Sequence, residues 1–312
     1  MPSITPSLRL LSLCAAVGLA THAHAFGAAR PSQPSTPSAP SKPVEPTKPI
    51  DPGTPPDNSH ETPADMASVI SEISKIASAS SCASYSWKNR GRAPAGYVNG
   101  MAVTFAKSLC RQRAGEGPAK LMASKNTANS EKDAITWFES TFDDAKLEID
   151  VAGADTLRSL FTLGIGLGMR ESSGKYCEGY DVSGGASNSA EAEAGPFQTS
   201  YNAVNASPEL KKLYDEYKAD PSKCFLDTFK QGVSCTARGF IGTGEGLTFQ
   251  KLAKSCPAFA AEFAMTTLRV IRKHYGPINR KEAEINPSCN KMLDDVQTLV
   301  EDRSASVCDA LN

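Results

Sequence analysis

Residues 160–175 read LFTLGIGLGMRESSGK, a stretch that delivers an acidic residue, Glu171, at the end of a long apolar run. Apolar residues fall on every side of a helix between residues 157 and 169, which is typical of a buried helix. The run also contains three glycines within five residues: Gly164, Gly166 and Gly168. Because glycine weakens a helix, we expect these positions to mark close packing against neighbouring elements. Gly174 is a helix-ending signal, which predicts that Glu171 lies in the last turn.

A carboxyl group at the end of a buried helix is a candidate general acid. We expect Glu171 to lie half in the core and half in a cleft, where desolvation raises the pKa of a carboxyl group. A raised pKa keeps the proton in place near neutral pH, as general acid catalysis requires. The alternative interpretation is a solvated glutamate at a helix end, because an Arg-Glu-Ser tripeptide is common.

A second segment, AGPFQTSYN at residues 194–202, follows after a polar, glycine-rich loop. Its short turn, aromatic rings and amide suit the binding of a sugar. Together the two segments resemble the lysozyme-like superfamily, specifically goose-type lysozymes and lytic transglycosylases. In that family a helix ending in Glu-Ser carries the catalytic glutamate, and a G-L-M-Q-like segment lines the cleft. Here RESSGK and GPFQTS occupy those places, so the resemblance, which covers residues 155–202, implies Glu171 as the catalytic acid.

The sequence does not determine whether a second catalytic group is present or which residue supplies it. An inverting glycosidase needs another carboxylate about 6.5–9.5 Å from the acid, with a water between them. A lytic transglycosylase needs none, because the 6-hydroxyl group of muramic acid attacks the sugar. Asp181 in the GYD motif is our first candidate, since goose-type lysozymes place an acid shortly after the catalytic glutamate. Glu193 is the second candidate, Glu178 and Glu191 lie in the same stretch, and a solvated loop charge is the alternative for each.

Four residues are predicted to bind the substrate. Gln198 would hydrogen-bond a hydroxyl or N-acetyl group, and Tyr201 would stack on a sugar ring. Phe197, with Pro196, replaces the aliphatic pair usual in the family, which bears on sugar specificity. Tyr275 ends a later amphipathic helix of a kind that returns to the cleft in the family, although core packing explains it equally well.

One departure from the family concerns Ser200. It stands where the goose-type pattern has an acid at the end of the G-L-M-Q-like segment. The loss of that acid favours the transglycosylase route. It also keeps open a second function, a module that binds cell-wall glycan without cutting it.

The first 64 residues are not expected to join a core. Residues 1–25 resemble a secretory signal peptide, with an apolar stretch followed by an Ala-His-Ala cleavage site. Proline recurs at every third position from residue 31 to residue 55, which predicts a stiff polyproline II linker over residues 26–64. We expect a single lysozyme-like domain over residues 65–312, and a periplasmic or secreted location.

Eight cysteines remain once the signal peptide is removed: Cys82, Cys110, Cys177, Cys224, Cys235, Cys256, Cys289 and Cys308. An even number in an exported chain predicts four disulfides, and the irregular spacing disfavours a metal site. Nearest neighbours in the chain give the local pairings Cys224–Cys235 and Cys289–Cys308 as expectations.

Composition excludes several function classes. His274 is the one histidine beyond the predicted linker, so a histidine-rich zinc site cannot form. The formal net charge of −1 gives no strong attraction to nucleic acid or to a membrane surface. No segment after the signal is long enough to anchor the chain in a membrane. We expect no cofactor, because glycoside cleavage by carboxyl groups requires none, and the sequence identifies no protein partner.

The periodicity predicts mainly helices, with strands in the polar stretch from about residue 176 to 201. This is an α+β pattern, mainly α, and a small sheet beside the catalytic helix is also what the lysozyme resemblance implies. The first hypothesis is therefore an exported enzyme that cleaves β-1,4 bonds between MurNAc and GlcNAc in peptidoglycan. The alternatives are the glycan-binding module and an enzyme for chitin, chitosan or deacetylated peptidoglycan.

Overall fold

The computed structural model describes residues 65–179, 188–235 and 239–312, which belong to one compact unit. The predicted signal peptide, the linker and Asp181 lie outside these residues. The helices are α1 Met66–Ala79, α2 Ser81–Ser84, α3 Ala95–Arg113, α4 Gly117–Met122, α5 Ala134–Trp137, α6 Glu139–Asp144, α7 Ala154–Ser172, α8 Pro208–Ala219, α9 Leu226–Phe229, α10 Gly244–Ser255, α11 Pro257–Val270, α12 Gly276–Asn279, α13 Pro287–Asp302 and α14 Ser304–Leu311. Short 3-10 helices cover Tyr201–Ala206, Pro221–Lys223 and Arg272–His274.

A two-stranded antiparallel sheet accompanies the helices. Strand β1, Ser86–Trp87, pairs with β2, Gly91–Arg92, so that Trp87 lies opposite Gly91. The predicted α+β class, mainly α, is therefore confirmed, but this sheet lies outside the stretch 176–201 where strands were predicted. The described part of residues 176–201 contains one isolated bridge, between Ala194 and Thr199. Its described residues form turns, in which the amides of Ala190 and Glu191 donate to the side chain of Asn188 and the amide of Gly195 donates to the carbonyl oxygen of Glu178.

Local signals account for the starts of several helices. The side chains of Asp65, Ser207 and Asn286 accept hydrogen bonds from the first turns of α1, α8 and α13. Helices α8, α11 and α13 begin with proline. Proline suits this position because its backbone angle is already helical and the amide hydrogen that it lacks would have no partner in the first turn. Asp133 caps α5 by accepting from the amide of Ile135 at 3.0 Å.

Helix α7 lies at the centre of the fold and packs against α3, α11 and α13. Fourteen of its nineteen residues are buried. Added Cβ atoms at Gly164 and Gly168 would overlap Met265 of α11 and the hydroxyl group of Tyr97 of α3. An added Cβ at Gly166 would overlap the backbone carbonyl oxygen of Glu284. The glycines therefore allow close approach from two sides, as the sequence predicted.

Four disulfides connect distant parts of the chain: Cys82–Cys289, Cys110–Cys308, Cys177–Cys235 and Cys224–Cys256. The expected local pairs, Cys224–Cys235 and Cys289–Cys308, are wrong. For Cys289 and Cys308 the reason is that α13 and α14 pack on α1, α2 and α3, which brings cysteines from the two ends of the domain together. Cys224 instead lies against the start of α11, where the amide of Ala258 donates to its carbonyl oxygen at 3.3 Å and Cys256 is within bonding distance.

No helix within the described ranges is both long enough and apolar enough to cross a membrane.

We predict that Gly166→Ala destabilises the protein by at least about 2 kcal/mol, because a methyl group at this position meets rigid backbone rather than a movable side chain. Urea unfolding followed by circular dichroism measures the change. Gly239→Ala is the matched control, since an added Cβ there meets no atom of the described residues within 4 Å. Equal stability of the two variants would contradict the packing argument.

Candidate active site

Glu171 lies in the last turn of α7, as predicted, and its side chain is half-buried. The helix ends because Ser173 takes a left-handed backbone, with φ 57°, and Gly174 follows at φ 73°. The amide of Ser173 donates to the carbonyl oxygen of Met169 at 3.0 Å, and that of Gly174 to Gly168 at 3.1 Å. These bonds satisfy the last carbonyl groups of the helix and fix the position of the glutamate.

The serine that follows the glutamate connects the helix to the second predicted segment. The hydroxyl group of Ser172 is buried and lies 2.9 Å from the carbonyl oxygen of Pro196 and 3.1 Å from that of Gly168. The same oxygen accepts a hydrogen bond from the amide of Lys175 at 3.1 Å. The Glu-Ser pair therefore combines a carboxylate that faces the cleft with a hydroxyl group that holds the cleft wall.

The second segment is a tight turn, closed by the Ala194–Thr199 bridge. Gly195 has φ 77°, and an added Cβ there would lie 2.6 Å from the carbonyl oxygen of Ala253 in α10, so the position requires glycine. The amide of Gly195 donates to the carbonyl oxygen of Glu178 at 3.0 Å, which joins the turn to the loop after α7. Gln198 also has a left-handed backbone, and its side-chain amide donates to Gly195 at 2.9 Å.

These elements enclose an open cleft of about 320 Å³ beside Glu171. The described residues that line it are Arg90, Glu171, Ser172, Ser173, Lys175, Glu178, Glu193 and Gln198. Three carboxylates and two cations thus face one space, and all three carboxylates are half-buried. The structure brings together Glu171, Glu193 and Gln198 from the predicted set.

Five of the described lining residues were not chosen as site residues from the sequence, and Arg90 and Glu178 are the most informative of them. Arg90 comes from the turn between β1 and β2, and its guanidinium group donates to the carbonyl oxygen of Arg170, which fixes the hairpin against the end of α7. No sequence signal connects Arg90 to a helix 80 residues away. Glu178 was recognised as an acid in the right stretch, but the motif comparison favoured Asp181 and Glu193 over it.

The other predicted substrate-binding residues lie away from the described cleft wall. Phe197 is fully buried and its ring centroid lies 6.4 Å from that of Tyr97. Tyr201 packs edge-on against Tyr214, at 5.5 Å, and Phe249, at 6.2 Å. Both rings therefore support the turn from behind, which fits a structural role better than contact with a sugar.

Tyr275 is also buried, and the charges of the cleft affect the pKa of its hydroxyl group. Burial raises the pKa of its hydroxyl group well above the ordinary value; Thr267 opposes this increase, and the carboxylates of Glu171 and Glu193 add to it. Its hydroxyl group makes no hydrogen bond within 3.5 Å among the described residues. The Tyr275 hydroxyl group is therefore buried and neutral.

Among the described residues, no group of three or more His, Cys, Asp or Glu side chains is arranged to hold a metal ion.

His274, beside Tyr275, gives a prediction about pH. Burial lowers the pKa of His274 from 6.5 to about 4, and its Nε2 atom is buried without a hydrogen bond among the described residues. As the pH falls, His274 therefore binds a proton in the unfolded chain before it does so in the folded protein. This difference lowers the free energy of unfolding by about 3 kcal/mol between pH 8 and pH 4.

His274→Gln should lose that part of the pH dependence. Urea unfolding of both proteins from pH 8 to pH 4 measures it, and the difference in their free energies of unfolding should change steadily below pH 6.5. A constant difference across this range would show that the imidazole is not shielded in the folded state.

Comparison of this chain with protein-family models, with curated proteins and with solved structures found no match. The resemblance to lysozyme-like proteins therefore stays a prediction that rests on the RESSGK and GPFQTS motifs.

Proposed function

We propose that this protein is an exported glycosidase that cleaves β-1,4 bonds between MurNAc and GlcNAc in peptidoglycan, with Glu171 as the general acid. The observation that carries the proposal is the position of Glu171 in the last turn of a buried helix, facing an open cleft. Ser172, the turn at 194–199 and the loop at 175–179 hold that position through hydrogen bonds. Four disulfides fit a protein that is exported.

The first step of the reaction needs one proton donor. Glu171 would give its proton to O4 of GlcNAc as the bond from C1 of MurNAc to that oxygen breaks. Gln198 lines the same cleft, and its backbone is fixed by the turn, so it would hold a hydroxyl or N-acetyl group of the sugar. Preorganised polar groups of this kind position the bond against the acid.

The second step has two routes. In transglycosylation the 6-hydroxyl group of MurNAc attacks its own C1, and its proton returns to the Glu171 carboxylate, so that no water is consumed. In hydrolysis a second carboxylate activates a water, and Glu178 and Glu193 line the cleft as candidates. The absence of an acid at Ser200, whose hydroxyl group bonds Asn202 at 2.7 Å, favours transglycosylation.

A second candidate substrate is a deacetylated glycan, such as chitosan or deacetylated peptidoglycan. Three carboxylates outnumber the two cations in the cleft, and free amino sugars carry positive charge. Turnover of acetylated and deacetylated polymers at equal chain length separates the two substrates.

We predict that Glu171→Gln lowers fragment release from purified peptidoglycan by a factor of about 10² to 10⁴, the range that a positioned general acid contributes. The amide has the size of the carboxyl group but cannot donate its proton in the same way. Glu191→Gln, a change at an exposed residue absent from the described cleft wall, is the matched control. Full activity of Glu171→Gln would refute the proposed role, and retention on peptidoglycan without release by the native protein would favour a binding module.

Mass spectrometry of the released fragments should find 1,6-anhydro-MurNAc ends, which are lighter than reducing ends by one water. Glu178→Gln and Glu193→Gln should each retain most of the activity if the 6-hydroxyl group is the nucleophile. Reducing ends, together with a large loss in one of these two variants, would instead identify the carboxylate that activates water.

A further inference from the structure

A second cleft, of about 410 Å³, lies beside the first. The described residues that line it are Lys88, Asn89, Arg170, Arg280, Lys281, Glu282 and Glu284. The proposed reaction uses none of them.

The two clefts share their walls. Arg170 and Glu171 are consecutive residues of α7, and one lines each cleft. The β1–β2 turn also contributes to both clefts, because Arg90 lines the first cleft and Lys88 and Asn89 line the second. Hydrogen bonding to Glu282 raises the pKa of Arg280, and the charge of Glu171 contributes to the increase. A chain bound across Glu171 would therefore extend past the hairpin into the second cleft.

The hairpin wall is held firmly in place. Glu284 accepts a hydrogen bond from the amide of Lys88 at 2.8 Å and another from the hydroxyl group of Tyr85 at 3.0 Å. An added Cβ at Gly166 would overlap the carbonyl oxygen of Glu284, so the backbone of this glutamate lies directly on α7. The second cleft is thus formed by supported elements.

Its charge is opposite to that of the first cleft. Four cations face two carboxylates, and both carboxylates already have partners. Glu282 pairs with Arg170 at 3.2 Å and with Arg280 at 3.0 Å, while Glu284 bonds the hairpin. The exposed ammonium groups of Lys88 and Lys281 form no ion pair among the described residues; Lys281 lies over the Trp137 ring, 4.9 Å from its centroid. Unpaired cations in a cleft attract anionic groups.

We propose that this basic cleft binds carboxylate groups carried by the glycan chain, namely those of the peptides attached to its MurNAc residues. The proposal rests on the proposed function, since it specifies which part of peptidoglycan lies next to the cleaved bond. Lys88 and Lys281 supply the free charge, and Arg170 and Arg280 are held in position by Glu282. Neutral polymers such as chitin carry nothing that this cleft would select.

The test combines a change in the protein with a change in the substrate. The variant is Lys88→Gln/Lys281→Gln, made in the Glu171→Gln background so that the substrate stays intact. The matched control is Lys75→Gln/Lys212→Gln, which removes two exposed lysines that form no ion pair among the described residues. Binding is measured by co-sedimentation with native peptidoglycan, and with peptidoglycan whose carboxyl groups have been converted to amides with a carbodiimide and glycinamide.

We expect the parent, which is the Glu171→Gln protein, and the control to bind native peptidoglycan about tenfold more tightly than the amidated material. This estimate assumes that each of the two ammonium groups contributes a factor of about three to the affinity. The Lys88→Gln/Lys281→Gln variant should show less than about a twofold preference, and the preference of the parent should weaken as salt is added. The same strong preference in the variant as in the control, or no preference in the parent, would overturn the proposal. Thermal unfolding of each variant checks that the fold is retained.

This readout is separate from the proposed catalysis. Because binding is measured without turnover, a failure of the native protein to release fragments would refute the glycosidase proposal and leave the carboxylate preference measurable. Conversely, fragment release by the native protein without any carboxylate preference would refute the role of the basic cleft alone.

Discussion

The structure depends on one packing constraint, the close approach of other elements to both sides of α7. Tyr97 and Met265 occupy the space that the glycines open on one side, and the backbone of Glu284 occupies it on the other. Because interiors are packed as densely as crystals, contacts of this kind leave the helix little freedom to shift. The end of α7, and with it Glu171, is therefore placed by the core rather than by the loops around it.

The same constraint organises the walls of the cleft. The hydroxyl group of Tyr97 lies 3.0 Å from the carbonyl oxygen of Ile165, and its ring packs against Gly174 and towards Phe197 behind the turn. Glu284, on the opposite side, holds the β1–β2 hairpin through two hydrogen bonds. One helix thus fixes a turn on one side of the acid and a hairpin on the other, and the two clefts follow from this arrangement.

Glu262 and Glu171 illustrate two different physical settings for an acidic residue in this fold. Glu262 is fully buried, and it bonds Arg111 at 2.9 Å, Ser108 at 2.8 Å and Tyr217 at 2.8 Å. Burial opposes its ionisation, but Arg111 and the other partners lower its pKa, so its charge is permanently compensated inside the core. Glu171 and its neighbours instead face solvent in a cleft, where a substrate can reach them. Accessibility, more than the number of acids, separates structural carboxylates from candidates for catalysis.

The sequence by itself determined the features that depend on neighbours along the chain: the helical class, the position of Glu171 in the last turn of α7, the glycine contacts and the turn that carries Gln198. Periodicity and helix-ending residues report on local structure, so these predictions needed no knowledge of the fold. Tertiary structure decided the disulfide partners, the position of Arg90 at the cleft, the place of Glu178 in the cleft wall and the burial of Phe197. Each of these depends on which surfaces pack together, and packing joins residues whose separation in the chain carries no signal.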